Sequence, residues 1–497
     1  MKPGHFFGTD GIRGLYGQHP LTPQGMWSLG CALGRWILDQ DGVNPFVFIG
    51  KDTRASCDAI EQALCGGLDS CGIRTISIGC APTPAVSFLT RAHCASAGLM
   101  ISASHNPAMY NGVKIFNRVG EKLSIDQEQV ISSYITQHHG CGSGATPIPS
   151  GKDYVKEYGD FLIQNTPELP PLRIVVDCAH GAYSAIAAHI LQEKGAVVVD
   201  VLGASPDGYN INQECGAVYP QRLAHAVVHH GADVGISFDG DGDRVILVTA
   251  DGKIQDGDQI LALLAENRVF SHNALVNVGH DSGHADGETI GLGTTPDHVQ
   301  NTPPESRIPQ TTSCGVVGTV LSNLGLERFL QSKAIPFVRT HVGDRWIAQK
   351  LKELGWTLGG ESCGHIILAD ALPTGDGLLA GLHALSPIGK HIHRHRDDAS
   401  AIQALFPIFQ PTPSAMVNMT LRVPQFCQHP KFLDYYQTIQ GQMGEDERVL
   451  LRQSGTEPVL RILVEGGSQE LVCHLAQTIA RDLDAQQDAW EDQRVSS

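Results

Sequence analysis

Three aspartates alternate with glycines in Asp239-Gly240-Asp241-Gly242-Asp243, and Arg244 follows directly. Three carboxylates packed into five residues repel one another unless a cation neutralises them. Oxygen-only ligands favour a hard ion, Mg²⁺ ahead of Mn²⁺ or Ca²⁺. The spacing matches the first three ligands of an EF-hand. However, the sixth position is Arg244 instead of Gly and the twelfth is Ala250 instead of Glu, so that motif fails. An exposed acidic turn is the competing reading.

A second stretch, Ile101-Ser102-Ala103-Ser104-His105-Asn106-Pro107, places a hydroxyl next to an imidazole in a sharp turn. Lysine returns ten residues after Ser104, at Lys114. Near the start, Phe7-Gly8-Thr9-Asp10-Gly11-Ile12-Arg13-Gly14 surrounds Arg13 with turn residues, and a guanidinium there could fork onto phosphate or carboxylate. Near the end, Arg452-Gln453-Ser454-Gly455-Thr456-Glu457-Pro458 with Arg461 reads as a backbone nest flanked by two arginines, suited to an anion. Each of these has a plain alternative in ordinary turn chemistry. The run His391-Ile392-His393-Arg394-His395 could bind metal but lies in an expected inter-domain linker without carboxylates. The segment before Gly151-Lys152 has Thr146 where a P-loop needs its first Gly, and is rejected as one.

The elements expected to carry these residues alternate strand and helix. Ala97 to Ile101 is an apolar run that delivers Ser104 to the rim of a sheet. Phe46 to Ile49 leads into Gly50-Lys51-Asp52-Thr53-Arg54, then a helix to Asp69 and a strand Ile73 to Ile78. A second unit runs from strand Arg173 to Asp177 to strand Asp233 to Phe238, which ends on the aspartate trio. A third begins with helix Gln259 to Arg268 and closes on Gly359-Gly360-Glu361-Ser362-Cys363-Gly364-His365. It is interrupted by 271–313, polar and aperiodic, which we expect to be a disordered insertion. The expected organisation is therefore α/β, with three similar mixed-sheet domains at 1–150, 151–252 and 253–388. A smaller α+β domain follows at 400–485, then a flexible tail at 486–497, the domains enclosing a central cleft.

Composition narrows the partners. The 497 residues carry 35 Lys and Arg against 52 Asp and Glu, a net charge of −17. Such a surface disfavours nucleic acid and anionic membranes, so basic residues for an anionic ligand must be gathered locally. The 13 cysteines contain no Cys-x-x-Cys, which argues for reduced thiols rather than disulfides or structural zinc. Met1 to Phe7 lacks an apolar core of signal-peptide length, so a cytoplasmic location is expected.

Taken together and in their order along the chain, the five motifs resemble the α-D-phosphohexomutase superfamily, and within it the bacterial phosphoglucosamine mutase family. The octet beginning at Phe7 and Val342-Gly343-Asp344-Arg345 carry the second likeness. The resemblance implies that Ser104 is a phosphoserine and that Asp239, Asp241 and Asp243 hold one Mg²⁺ with the Ser104 phosphate. It also implies that Arg13, Lys114, Arg244 and His365 surround the transferring group. Glu361, Cys363 and His341 would contact the sugar, while Arg452, Ser454, Gly455, Thr456 and Arg461 would hold the non-reacting phosphate. The implied activity interconverts glucosamine 6-phosphate and glucosamine 1-phosphate through glucosamine 1,6-bisphosphate, with a homodimer possible. The family places serine where this chain has Cys363, an amide where it has Ser362, and lysine at His341. A phosphomannomutase/phosphoglucomutase, a catalytically decayed phosphosugar-binding protein and a metal-dependent phosphatase are the alternatives.

Overall fold

The computed structural model describes residues 6–8, 10–40, 44–137, 148–149, 152–278, 315–398, 400, 402, 404–423, 425–454 and 458–495. The first sheet contains β1 (Ile12–Leu15), β2 (Phe46–Lys51), β3 (Arg74–Cys80), β4 (Ala97–Ile101), β5 (Tyr110–Phe116) and β6 (Ile148–Pro149), ordered β1-β5-β4-β2-β3-β6. Strands β4, β2, β3 and β6 run parallel, whereas β5 returns antiparallel to β4. Period-two alternation sorts the side chains between two cores. Val47, Ile49, Leu99, Ile101, Val113 and Ile115 face α1 (Pro23–Leu38), α2 (Cys57–Asp69) and neighbouring apolar groups. Phe48, Met100 and Phe116 face the other way, into a core shared with the second and third units. α3 (Thr83–Ala92) and α4 (Ile125–Gln137) complete this unit.

The second unit contains α5 (Tyr154–Asn165), β7 (Arg173–Asp177), α6 (Ala187–Glu193), β8 (Val197–Leu202), α7 (Gln221–His230), β9 (Val234–Phe238), β10 (Val245–Thr249) and β11 (Ile254–Gln255). The third contains α8 (Gly257–Val278), β12 (Val316–Thr319), α9 (Leu324–Ser332), β13 (Phe337–Thr340), α10 (Asp344–Leu354), β14 (Leu358–Gly360), β15 (Ile366–Leu368) and α11 (Gly377–Arg394). Their sheets are ordered β11-β10-β9-β7-β8 and β13-β12-β14-β15. One design recurs in all three units. A strand parallel to its neighbours ends in a tight turn, and the next strand comes back antiparallel: β4 to β5, β9 to β10, and β14 to β15. Those three turns carry Ser104, the aspartate trio and Glu361 to His365.

The C-terminal unit is a separate antiparallel sheet, β16 (Ser414–Thr420), β18 (Val459–Glu465) and β17 (Arg448–Gln453) in that order, with helices Pro430–Gln442 and Gln469–Val495 and its own core. It joins the third unit through Asn323, the N-cap of α9. The Asn323 amide donates to Thr412 O at 3.0 Å and to Glu465 Oε1 at 3.1 Å, and its backbone N–H donates to buried Asp258 at 2.7 Å.

Three expectations change. Helix α8 continues to Val278, well past Arg268 and into the stretch read as an insertion; extending a formed helix costs far less than nucleating one. Residues 279–314 lie outside the described residues. The trihistidine run sits on and just after the last turns of α11, not in a linker. Asp376 caps that helix through the Leu378 and Leu379 amides, and its apolar face is buried. The tail at 486–497 is helical as far as Val495, and Gln487, fully buried, accepts from Arg422 N at 2.8 Å.

Candidate active site

Ser104 lies just beyond the end of β4 with φ +50°, a left-handed backbone that a serine adopts only when its surroundings over-determine it. Those surroundings are specific. Ser104 N donates to Ser102 Oγ at 2.8 Å, and Ser102 Oγ donates to Asp52 Oδ2 at 2.7 Å. Asp52 pairs with Arg54 at 2.8 Å, both side chains fully buried. The Arg54 guanidinium then gathers the carbonyls of Ser104, Asn106, Pro107 and Tyr110 at 2.6–3.0 Å. Asn212, from the second unit, reaches Ser104 O at 2.9 Å. The clasp aims the Ser104 hydroxyl at Asp239, to which it donates at 2.5 Å. His105 Nδ1 is 3.4 Å from the same oxygen. Burial first, then Arg244 and Arg13, lower His105 to about 4, so its ring is neutral at pH 7.

The trio turns inward. Asp239, Asp241 and Asp243 are buried, with one oxygen of each within 4.8 Å of the others. Asp241 Oδ2 accepts from Thr83 at 2.5 Å, and Lys114 Nζ lies 2.8 Å from Asp241 and 2.6 Å from Asp243. Asp241 Oδ1 and Asp243 Oδ1 have no hydrogen-bond partner. Burial, then Asp243 and Asp241, push Asp239 well above the usual carboxylate range. Asp243 is held well below it: burial opposes, but Lys114 and His365 outweigh burial. The two differ because Lys114 serves Asp241 and Asp243, while the ion pair of Asp239 is Arg244 at 3.9 Å. Orphaned carboxylate oxygens beside an under-neutralised carboxylate fit a divalent cation.

The third turn is strapped to the second: Val245 N donates to Gly364 O at 3.0 Å, and Arg244 and His365 form a short antiparallel bridge. His365 is buried, with Nδ1 3.6 Å from Asp243 and Nε2 3.5 Å from Asp344. Burial opposes its protonation, but Asp243 and Asp344 raise its pKa. Glu361 Oε1 accepts from Gly343 N at 3.1 Å, and the Cys363 thiol, pushed up to about 11 by burial, lies 4.0 Å from Glu361 Oε2. His341 is exposed, its ring edge-on to Trp346 at 5.7 Å. Arg13 donates to Asn106 at 3.0 Å and pairs with Asp10 at 2.9 Å.

The C-terminal residues form the last group. Arg452 on β17 stands opposite Arg461 on β18 in register. Burial, then Arg461, lower Arg452, with Glu361 acting against them. Its Nη1 has no hydrogen-bond partner. Ser454 is buried and begins the turn; Gly455 and Thr456 lie outside the described residues.

Sequence reasoning missed the Asp52–Arg54 clasp, Thr83, Asn212 and the Asp10–Lys122–Asp344 contacts. Only Asp52 and Arg54 left a signal, as a polar group at the carboxyl end of a strand beside β4. The structure also shows a crevice of about 950 Å³ between the first and third units, lined by Lys122, Gln127, Asp344, Trp346 and Trp356 among others.

The phosphoglucomutase/phosphomannomutase alpha/beta/alpha domains I, II and III match residues 4–139, 152–252 and 302–405, and the corresponding C-terminal domain matches 430–482. The phosphoglucosamine mutase of Cronobacter sakazakii is 38% identical over 97% of this chain and 99% of its own. That of Azoarcus sp. is 38% identical over 96% and 97%. Among solved structures, a phosphoglucomutase/phosphomannomutase family protein from Burkholderia thailandensis superposes with a TM-score of 0.75 at 23% identity, covering 98% of both chains. The N-acetylphosphoglucosamine mutase of Aspergillus fumigatus has the same fold, with a TM-score of 0.59 at 16% identity over 97% and 96%. The chain belongs to the phosphoglucosamine mutase family of the phosphohexomutases.

Proposed function

We propose that the protein interconverts glucosamine 6-phosphate and glucosamine 1-phosphate through a phosphoserine at Ser104, supplying activated amino sugar for cell-wall precursors. The observation that supports the reading is Ser104, its backbone carbonyl held by Arg54 and its hydroxyl aimed at a buried trio of carboxylates. Phosphoryl transfer requires positioning and charge neutralisation more than covalent help. In the first half-reaction the Ser104 Oγ–P bond breaks as the sugar O1 bonds phosphorus, giving the 1,6-bisphosphate and a free serine. A neighbouring base takes the proton of the sugar hydroxyl and Ser104 Oγ gains one in turn; we assign the donor's part to Lys114, an ammonium held among carboxylates, and the shuttling to His365. After the bisphosphate turns over, its 6-phosphoryl group moves to Ser104 and leaves glucosamine 1-phosphate. Mg²⁺ held by Asp239, Asp241 and Asp243 would supply charge neutralisation to the phosphoryl oxygens.

Arg13 and Arg244 flank the same region, while Glu361, Cys363 and His341 are assigned to the sugar. Arg452, Ser454, Gly455, Thr456 and Arg461 are assigned to the resting phosphate, whose clamp must accept either end of the bisphosphate. We place the enzyme in the cytoplasm; among the described residues no helix is long and apolar enough to cross a membrane.

The test is mutase turnover of glucosamine 6-phosphate, primed with sugar 1,6-bisphosphate, beside Ser104→Ala. We expect the parent to isomerise and to carry phosphate on Ser104 by intact mass, and the variant to lose at least about 10³-fold. A tenfold preference for mannose or glucose phosphate would reassign the substrate to a hexose. Absence of phosphoserine after bisphosphate treatment would remove the mutase reading altogether.

A further inference from the structure

We infer that Lys122 is a positioning residue that joins the two halves of the phosphoryl-transfer site, resting on the mutase reading above. Lys122 Nζ donates to Asp10 of the first unit and to Asp344 of the third. Each carboxylate goes on to touch groups assigned to the reaction. Asp10 Oδ2 lies 2.9 Å from Arg13 and 3.2 Å from Lys114. Asp344 Oδ2 lies 3.5 Å from His365 Nε2, which has no hydrogen-bond partner. One ammonium therefore stands between the Arg13–Lys114 side of the site and the His365 side.

The backbone on both sides is fixed. Lys122 forms a short antiparallel bridge with Phe116, the last residue of the strand that carries Lys114. The intervening turn is tied by Asn117, whose Oδ1 accepts from Val119 N at 3.0 Å and Glu121 N at 3.1 Å. Asp344 opens α10, and Gly343 immediately before it holds Glu361. A shift at Lys122 therefore reaches His365 by its side chain and Glu361 by the helix start. Two further pairs from the first unit to α10, Glu128 to Arg345 and Glu121 to Lys352 at 2.9 Å, run alongside the contact, the second of them on the exposed surface. Lys122 is largely enclosed, with 11% of its side chain exposed, so its two pairs are screened less than pairs on the open surface. Nothing places Lys122 against substrate; it acts through the residues it spaces.

The experiment compares the full chain with Lys122→Met, Lys122→Arg, Asp344→Asn and the double variant Lys122→Met/Asp344→Asn, on glucosamine 6-phosphate. For Lys122→Met we expect kcat to fall at least tenfold with KM within threefold, because the resting-phosphate arginines are untouched. Lys122→Arg should recover most of that loss. The double variant should be no worse than the weaker single, the pattern of a shared interaction. A purely structural role would lower Tm and leave kcat per folded molecule unchanged. Turnover within twofold of the parent, or losses that multiply in the double variant, overturns the proposal. Should Lys122→Met fail to fold, Asp344→Asn carries the same kcat criterion. A parent chain with no turnover on any aminohexose or hexose phosphate defeats the mutase reading instead. Amide exchange then decides: faster exchange at both 117–122 and 343–346 in Asp344→Asn upholds the clamp, and unchanged exchange overturns it.

Discussion

The three turns around Ser104 and the hairpin of the C-terminal unit handle charge in opposite ways. Around Ser104, basic groups and carboxylates are interleaved and largely buried: Lys114 between Asp10, Asp241 and Asp243, His365 between Asp243 and Asp344, Arg54 on Asp52. In the C-terminal hairpin, two guanidiniums face each other across adjacent strands, where like charges disfavour the pairing. The first arrangement is set before any ligand arrives and costs no reorganisation during transfer. The second would be balanced by the phosphate assigned to it in the proposed function. On the proposed mechanism the two serve different ends, a fixed centre for the chemistry and a positively charged hairpin for the handle.

The strongest way to break this contrast is to unbalance the fixed side. Asp243→Asn removes a carboxylate from between Lys114 and His365 and from the cation site; kcat should fall by about 10³-fold, while KM moves little. Equal losses in KM would mean the trio serves binding rather than transfer. Next in size, Arg452→Met should raise KM about 10- to 100-fold at nearly constant kcat, the worth of one charged hydrogen bond to phosphate. Added salt should weaken the parent's KM and affect the variant less.

Smaller changes sharpen the comparison. Cys363→Ser replaces a weak donor beside Glu361 with a better one, and kcat/KM on glucosamine 6-phosphate should rise by about two- to tenfold. Steady-state rates on glucosamine and glucose phosphates check this, and a fall on both would show that the thiol packs rather than donates. The joint between the two regions offers the last test. Burial, then Asp256, push Asp258 up to about 7 from an ordinary 3.8. Between those values the folded chain holds a proton that the unfolded chain has released, so stability declines as pH rises through the window. Asp258→Asn should flatten that decline, read as the urea midpoint at pH of about 5 against about 7.5, with activity unchanged at the lower pH.

What could be read from the sequence was what is contiguous. Ser104, the trio and the Glu361–His365 turn each compress their chemistry into a few residues at the end of a strand, so composition and turn signals find them together. The supports are scattered. Arg54 reaches Ser104 across 50 residues, Thr83 reaches Asp241 across 158, and Lys122 reaches Asp344 across 222. Each is one ordinary residue until the sheets dock, and nothing local marks it. The histidine run misled for a related reason: its polarity suggested a linker, but the cap at Asp376 and the buried leucines of α11 hold it helical.

The distance between Lys114 and its carboxylates also has a meaning in time. The partner Asp243 is made 129 residues after Lys114, and at about 5–20 residues per second a ribosome needs roughly 6–26 s to cover that gap. During that interval the end of β5 carries a cation whose enclosure has not yet been synthesised, so water must hold the place that Asp241 and Asp243 later take. Lys114 is thus made well before two of the three carboxylates that enclose it.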